Sequence, residues 1–357
     1  MSDIIDNLHP FLSSLTGKWL FLFASAFLLT LILTPVMRFT AARLNIMDVP
    51  EKRKIHKKPM PKLGGLAIYF SYVLVIIINF DFSIELKGVM IGGTIVLLIG
   101  LLDDLRGLSA SWKLAGQLLA ALALILCGVK LDILPNIWWG HAGEIVLTFI
   151  WVVGITNAVN FFDGMDGLAT GLTAICALSF FTVAQMTGQS YLGYITIVLA
   201  GSCLGFLIFN FKPASIFLGD AGSTFLGFTL AGIAIMGGWA ENNPKVALSL
   251  PLLILGIFVF DITYITIARI LRGRVKSFRE WIEYTGKDHL HHRLVSLGFT
   301  ETQAVLFIYL ITVCLGIGGI TLKATNDLKI YLELLQGLCI LAIIMILMLA
   351  GRELNDR

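Results

Sequence analysis

Long uninterrupted apolar runs, among them Trp19–Met37, Leu114–Cys127, Tyr191–Phe211 and Val246–Arg269, leave few folds open to this chain. About 18 to 20 consecutive apolar residues suffice to cross the hydrocarbon core of a bilayer as a helix. A surface helix of a soluble domain needs polar residues every few positions, and these runs lack them. Of the 357 residues, 57% are hydrophobic and only 14% charged, against about 25% charged in soluble domains. Backbone polar groups in lipid must pair within their own segment. The expected fold is therefore all-α: a polytopic integral membrane helix bundle forming a single domain over 1–357.

Breaks between the runs predict about 11 transmembrane helices, near 18–38, 63–80, 88–102, 111–128, 143–158, 167–187, 190–211, 222–240, 245–270, 302–321 and 330–350. Lys and Arg set the orientation, because cytoplasmic loops hold the excess of both. One set of loops carries 20 of the 26 basic residues; the other carries Lys18, Lys87, Lys130, Lys245, Lys323 and Lys329. The N-terminus is thus expected outside and the C-terminus in the cytoplasm, with cytoplasmic loops about 39–62, 103–113, 159–167, 211–221 and 271–301. The net charge of +3 follows from this bias and implies no nucleic acid. Ser2–Asn7 is acidic and polar, so the first run reads as a retained span rather than a cleaved signal. Five scattered cysteines (Cys127, Cys176, Cys203, Cys314, Cys339) have no metal or disulfide spacing and read as small core residues. Trp138, Trp139 and Trp239 fall near outer span ends, where an aromatic belt is expected.

Acidic residues point to chemistry. Asp103 and Asp104 close the third run in GLLDDLRG, Asp163 and Asp166 the fifth in NAVNFFDGMDGLATG, and Asp220 the seventh in FNFKPASIFLGDAGS. All lie at the expected cytoplasmic ends of spans, with almost no basic partners nearby in sequence. Carboxylates at such depth are costly and mark functional sites. Clustered carboxylates without cysteine suit a hard divalent cation, and Mg²⁺ usually takes one or two of them plus substrate phosphates. Mn²⁺ is an allowed substitute. Asn157, Asn160, Asp163 and Asp166 advance by three, which on a helix end keeps them on adjoining parts of one face. A metal–diphosphate site inside a helix bundle is the expectation.

The last long loop holds Asp288, His289, His291 and His292 in KDHLHHRL, with Arg269, Arg272, Arg274 and Arg293 around it. Three histidines within four residues rarely converge on one zinc, so this segment reads as a phosphate-binding, charge-stabilising patch. The similarly basic 38–62 segment reads equally as substrate-binding or as simple positive-inside topology.

GLLDDLRGL, NAVNFFDGMDGLATG, FNFKPASIFLGDAGS, DHLHHRL and RKIHKKPMPKLGGLAI, in that spacing and topology, resemble the polyprenyl-phosphate N-acetylhexosamine-1-phosphate transferase family over nearly the whole chain. DHLHHRL resembles its bacterial undecaprenyl-phosphate N-acetylglucosamine-1-phosphate transferases of cell-surface polysaccharide synthesis (lipopolysaccharide or cell-wall polymers). The muramoyl-pentapeptide branch typically carries three consecutive histidines, a departure here. The segment FREWIEYTG, 278–286, looks longer than the usual linker and leaves the sugar open.

The resemblance implies a multi-pass enzyme of the bacterial cytoplasmic membrane. It would take N-acetylglucosamine 1-phosphate, or another N-acetylhexosamine 1-phosphate, from a UDP-sugar to a polyprenyl phosphate lipid, releasing UMP; a homodimer is compatible with it. Carried over by motif position, Asp220 is the Mg²⁺ ligand. Asp103 faces the acceptor phosphate, and Asp104 supports the metal or that phosphate. Asn160, Asp163, Asp166, Asn210 and Phe217 line the nucleotide site, and His289, His291, His292 and Arg293 hold the diphosphate and sugar. A phosphate monoester, with a second pKa of about 6, is largely ionised at neutral pH and favours direct attack over a covalent aspartyl intermediate. Two other classes fit less well: a transporter, favoured only by Asp261 inside a span, and an aromatic prenyltransferase, which has no evident use for the histidine loop.

Overall fold

The computed structural model describes residues 15–49, 58–80, 83–239, 244–277, 280–281, 284, 286, 288–322 and 327–355. These form helices α1 (Leu15–Arg43), α2 (Gly64–Asn79), α3 (Ile84–Arg106), α4 (Ala110–Leu126), α5 (Trp138–Phe162), α6 (Leu168–Met186) and α7 (Ser190–Asn210). They continue as α8 (Gly219–Met236), α9 (Pro244–Ile254), α10 (Gly256–Leu271), α11 (Leu290–Ser296), α12 (Glu301–Thr321) and α13 (Asp327–Asn355). Two short strands, β1 (Met47–Asp48) and β2 (Met60–Pro61), pair antiparallel and bring the ends of the first loop together. Residues 50–57, with most of that loop's basic charge, lie outside the described residues.

Eight of these helices are long and apolar enough to span a bilayer, nine if the bent pair α9–α10 counts as one. The chain is a polytopic all-α membrane bundle. Helices α2 and α4, at 16 and 17 residues, reach about 25 Å at 1.5 Å per residue, just short of a 30 Å core. The ninth expected span, 245–270, is not one rod: α9 and α10 meet at 82°. Sharp kinks fall where the helix ladder loses a donor or a side chain. Pro251, which lacks an N–H, and Gly256 flank the break at Leu255.

Two spans run longer than their apolar runs. Ser83 caps α3 by accepting from Leu86 N–H at 3.2 Å, so α3 begins before 88 and carries Asp103 and Asp104 on its last turn. α5 covers 138–162 where 143–158 was expected. Trp138 and Trp139 are exposed, as a belt requires, but Trp239 is buried against Phe180 and donates from Nε1 to the Ala234 carbonyl at 2.8 Å. Its indole is satisfied inside the fold, so it forms no part of a belt. Cys176 and Cys203 are buried free thiols, whereas Cys339 is exposed on α13.

α8 is the hub. Every residue from Ala221 to Ala234 is buried, against α2, α3, α5 and α6. Lipid gives no hydrophobic drive between helices, so close approach over small residues holds them. Gly100 of α3 lies against Ala221 and Asp220, Gly227 against Thr156 of α5, and Gly65 of α2 against Gly222.

Candidate active site

The N-terminus of α8 gathers the acidic motifs. Gly219 adopts φ +76°, and a Cβ there would lie 2.7 Å from Asp104 Oδ2, so only glycine lets the turn close over α3. The Asp220 and Ala221 N–H groups donate to Asp104 at 3.2 and 3.1 Å, a carboxylate capping a helix start. Asp220 then faces Asp103. Between them lies Lys113 of α4, its Nζ 2.9 Å from Asp103 Oδ2 and 3.0 Å from Asp220 Oδ2. Lys62 pairs with Asp104 at 3.4 Å. The expectation of acids almost without basic partners is therefore corrected. Both lysines stand in other elements, and the fold delivers them as counter-charges. Asp103 also accepts from Leu108 N–H at 2.5 Å, fixing the α3–α4 turn.

Asn160 joins this cluster, donating to Asp220 Oδ1 at 3.1 Å and to Ser223 at 2.7 Å. The four-residue series does not continue as one face. α5 stops at Phe162, and Asn157 pairs reciprocally with Gln117 of α4 at 2.8 and 3.1 Å, away from Asp220. Asp163 follows the helix end. Burial, then the negative fields of Asp220, Asp104, Asp166 and Asp48, pushes its carboxyl well above the ordinary range. Asp166 accepts from Ala214 N–H at 3.0 Å and ties the turn to the 211–218 segment. Asn210 holds that segment from behind, accepting from Thr170 and donating to the Ile216 carbonyl. Half-buried Phe217 is stitched to the first loop, donating to Pro61 and accepting from Gly64.

The histidine segment docks beside the same turn. The His289 ring lies 4.9 Å from that of Phe161, and His291 packs on Phe162 and His292. A Cβ on Gly164 would sit 2.8 Å from His291 Nε2, so a glycine is what lets the 163–167 turn meet this imidazole. His291 is buried, and neither ring nitrogen has a hydrogen-bond partner among the described residues. Burial, then the fields of His292 and His289, holds it well below the usual imidazole range, so it rests neutral. His292 and the buried Arg293 follow on α11.

Arg269 is not part of a free phosphate patch. It grips Asp288 through Nε at 2.9 Å and Nη2 at 2.5 Å, with the Tyr284 ring 4.4 Å away across its face. Burial raises the Asp288 carboxyl, but this bidentate bond outweighs it and leaves the group below its ordinary value. Asp261 also serves the segment, taking His289 Nδ1 at 2.6 Å. Sequence reasoning gives Lys62 and Lys113 no individual role, and Asp261 only that of a transporter's acid. Each is a charge at the edge of or inside an apolar run, the signal that could have found them.

Among the described residues, no three His, Cys, Asp or Glu side chains converge as a complete metal cage. One or two carboxylates completed by substrate oxygens is the arrangement Mg²⁺ takes, and the oxygen donors around Asp220 suit a hard cation.

Residues 86–238 match the model of Glycosyl transferase family 4. The chain is 35% identical over 310 residues to the probable undecaprenyl-phosphate N-acetylglucosaminyl 1-phosphate transferase of Bacillus subtilis, covering 85% of each. It is also 35% identical to the decaprenyl-phosphate N-acetylglucosaminephosphotransferase of Mycobacterium tuberculosis, over 80% of this chain and 78% of that one. The phospho-N-acetylmuramoyl-pentapeptide-transferase of Desulforudis audaxviator is 30% identical over 83% of this chain and 95% of its own. Likeness of this extent, over a bundle that gathers all the acidic and histidine motifs at one end, makes the chain a member of the polyprenyl-phosphate N-acetylhexosamine-1-phosphate transferase family.

Proposed function

We propose that the protein transfers N-acetylglucosamine 1-phosphate from UDP-N-acetylglucosamine to undecaprenyl phosphate, releasing UMP. This would be the first membrane step of a bacterial cell-surface polysaccharide, at the inner membrane. The observation that carries the reading is the meeting of Asp103, Asp104, Asn160, Asp163 and Asp220 at one end of a membrane helix bundle, with His289 against Phe161 and His291 against Gly164 beside them. Two anionic substrates must meet there, one lipid-soluble and one water-soluble. Asp220 would hold Mg²⁺ with Asp104 behind it, and the ion would draw charge from the diphosphate. Lys113 and Lys62 keep the carboxylates from repelling one another before substrate arrives. Asp103 faces the acceptor phosphate, which attacks the β-phosphorus directly. Asn160, Asp163, Asp166 and Phe217 line the nucleotide side, Asn210 supports their loop, and His289, His291, His292 and Arg293 take the diphosphate and sugar.

A panel of UDP-sugars with polyprenyl phosphate tests this by the mass of the lipid product. UDP-N-acetylglucosamine is expected to give the product and UMP. Product from UDP-muramoyl-pentapeptide alone would move the protein to the other branch.

The excess of Lys and Arg supports a cytoplasmic side that carries Lys58, Lys62 and Lys276, with the N-terminus outside, the C-terminus inside and eleven crossings, α2, α4 and the bent α9–α10 each counted once. In a background without native cysteines, Lys130→Cys and Lys245→Cys should react with an impermeant reagent in intact cells. Lys58→Cys and Lys276→Cys should react only after permeabilisation. Labelling of position 276 from outside would reverse the orientation.

A further inference from the structure

Asp261 is a buried charge for which the transferase chemistry above has no role. Its residue is 1% exposed in apolar α10, and such a carboxylate costs several kcal/mol, by order of magnitude, unless its oxygens are engaged. They are. Oδ2 lies 2.6 Å from His289 Nδ1, and Oδ1 accepts from Leu290 N–H at 2.8 Å. The same helix grips the preceding residue, because Arg269 holds Asp288. α10 thus clamps three consecutive residues, 288 to 290, at the entry to the histidine segment.

An ionised carboxylate can only accept, so the imidazole nitrogen facing it must carry the proton. That commits Nδ1 as the N–H of His289 and leaves Nε2 as the nitrogen able to exchange hydrogen bonds with a ligand. Phe161, 4.9 Å away, and His291, at 6.0 Å with rings 14° from parallel, bound the ring on its other sides. We propose that Asp261 is a positioning residue that fixes the tautomer and orientation of His289, so that the bare Nε2 accepts a hydrogen bond from a hydroxyl of the donor sugar. The inference rests on the transferase reading for its substrate. It also gives the intramembrane carboxylate a role other than transport.

The test uses the full chain in detergent, labelled with ¹⁵N-histidine, the His289 signals being assigned by their loss in His289→Ala. In the neutral ring of the wild type, Nδ1 is expected as the protonated nitrogen and Nε2 as the bare one. In Asp261→Asn, the amide can accept from Leu290 N–H only by turning its NH₂ toward the ring. Nδ1 must then accept, and the proton moves to Nε2. Turnover is expected to fall about 10- to 100-fold, as for other groups that orient a functional histidine. The same change in a His289→Ala background should cost less than about twofold, because coupled residues are not additive.

An Asp261→Asn spectrum unchanged from the wild type, or a moved proton with undiminished turnover, overturns the positioning role. Should that variant not fold, a wild-type spectrum with the proton on Nε2 overturns it alone. Wild-type protein that releases no UMP from any UDP-sugar, yet keeps the Nδ1–H ring, overturns the transferase reading and leaves the Asp261–His289 arrangement standing.

Discussion

Asp220→Asn is expected to abolish turnover, by about 10³-fold or more, while the protein stays folded. The Asp220 side chain is 31% exposed, against 12% for Asp103 and 5% for Asp104, so it is the carboxylate a ligand reaches first. An asparagine has one oxygen where Asp220 offers two. That oxygen cannot stand both where Asn160 meets Oδ1 and where Lys113 meets Oδ2, and it lacks the charge a hard cation needs. A loss of about 4 kcal/mol of transition-state stabilisation corresponds to that thousandfold. The fold should survive, because Asp104 rather than Asp220 caps α8. Turnover at a range of Mg²⁺ concentrations, with size exclusion as the folding control, gives the answer. Near-normal rates with an unchanged Mg²⁺ dependence would remove Asp220 as a metal ligand.

His291→Ala and His292→Ala should each slow transfer by about a hundred- to a thousandfold, the worth of roughly 3 to 4 kcal/mol for a donor aimed at developing charge. Zinc chelators should leave the wild type unaffected, whereas a zinc site would lose activity and regain it with metal. His291 offers a further discrimination. A buried polar group without a partner destabilises the resting fold by about 1–3 kcal/mol, and neither His291 nitrogen has one among the described residues. Its removal should therefore leave thermal stability nearly level while turnover collapses. A variant that melts early and turns over normally would assign His291 to packing.

The apolar runs made the helices legible because a 20-residue stretch without charge has one stable form in lipid. The acidic and histidine motifs likewise stood out one by one, since the chemistry of each is local, and the fold brings them to one end of the bundle. Relations between distant segments were not legible. Nothing in ASWK says that Lys113 will stand between Asp103 and Asp220, because that geometry depends on α4 returning beside α3. Asp261 looked like a lone intramembrane acid, and its partner lies 28 positions on. The break at Leu255 needed more than Pro251, because proline inside a membrane helix is often absorbed without a turn of 82°. Hydropathy reports only whether a residue prefers lipid to water, so it could not separate buried Trp239 from its exposed counterparts Trp138 and Trp139.

The hub position of α8 bears on how the protein is made. Synthesis runs from the N-terminus, and α8 follows seven earlier helices in the chain. In the finished bundle it fills a narrow space between α2, α3 and α5, against Gly65, Gly100 and the backbone at Thr156. Until it emerges, Lys62 and Lys113 stand without the Asp220 turn that the finished protein sets among them. Arrival of a single segment therefore fills the space between these helices and sets Asp220 beside Lys113. A ribosome stalled just short of residue 219 would leave an inserted but unfinished bundle, the kind of intermediate that membrane quality control removes. The packing around α8 and its contact with Lys113 thus both depend on a segment made after its partners.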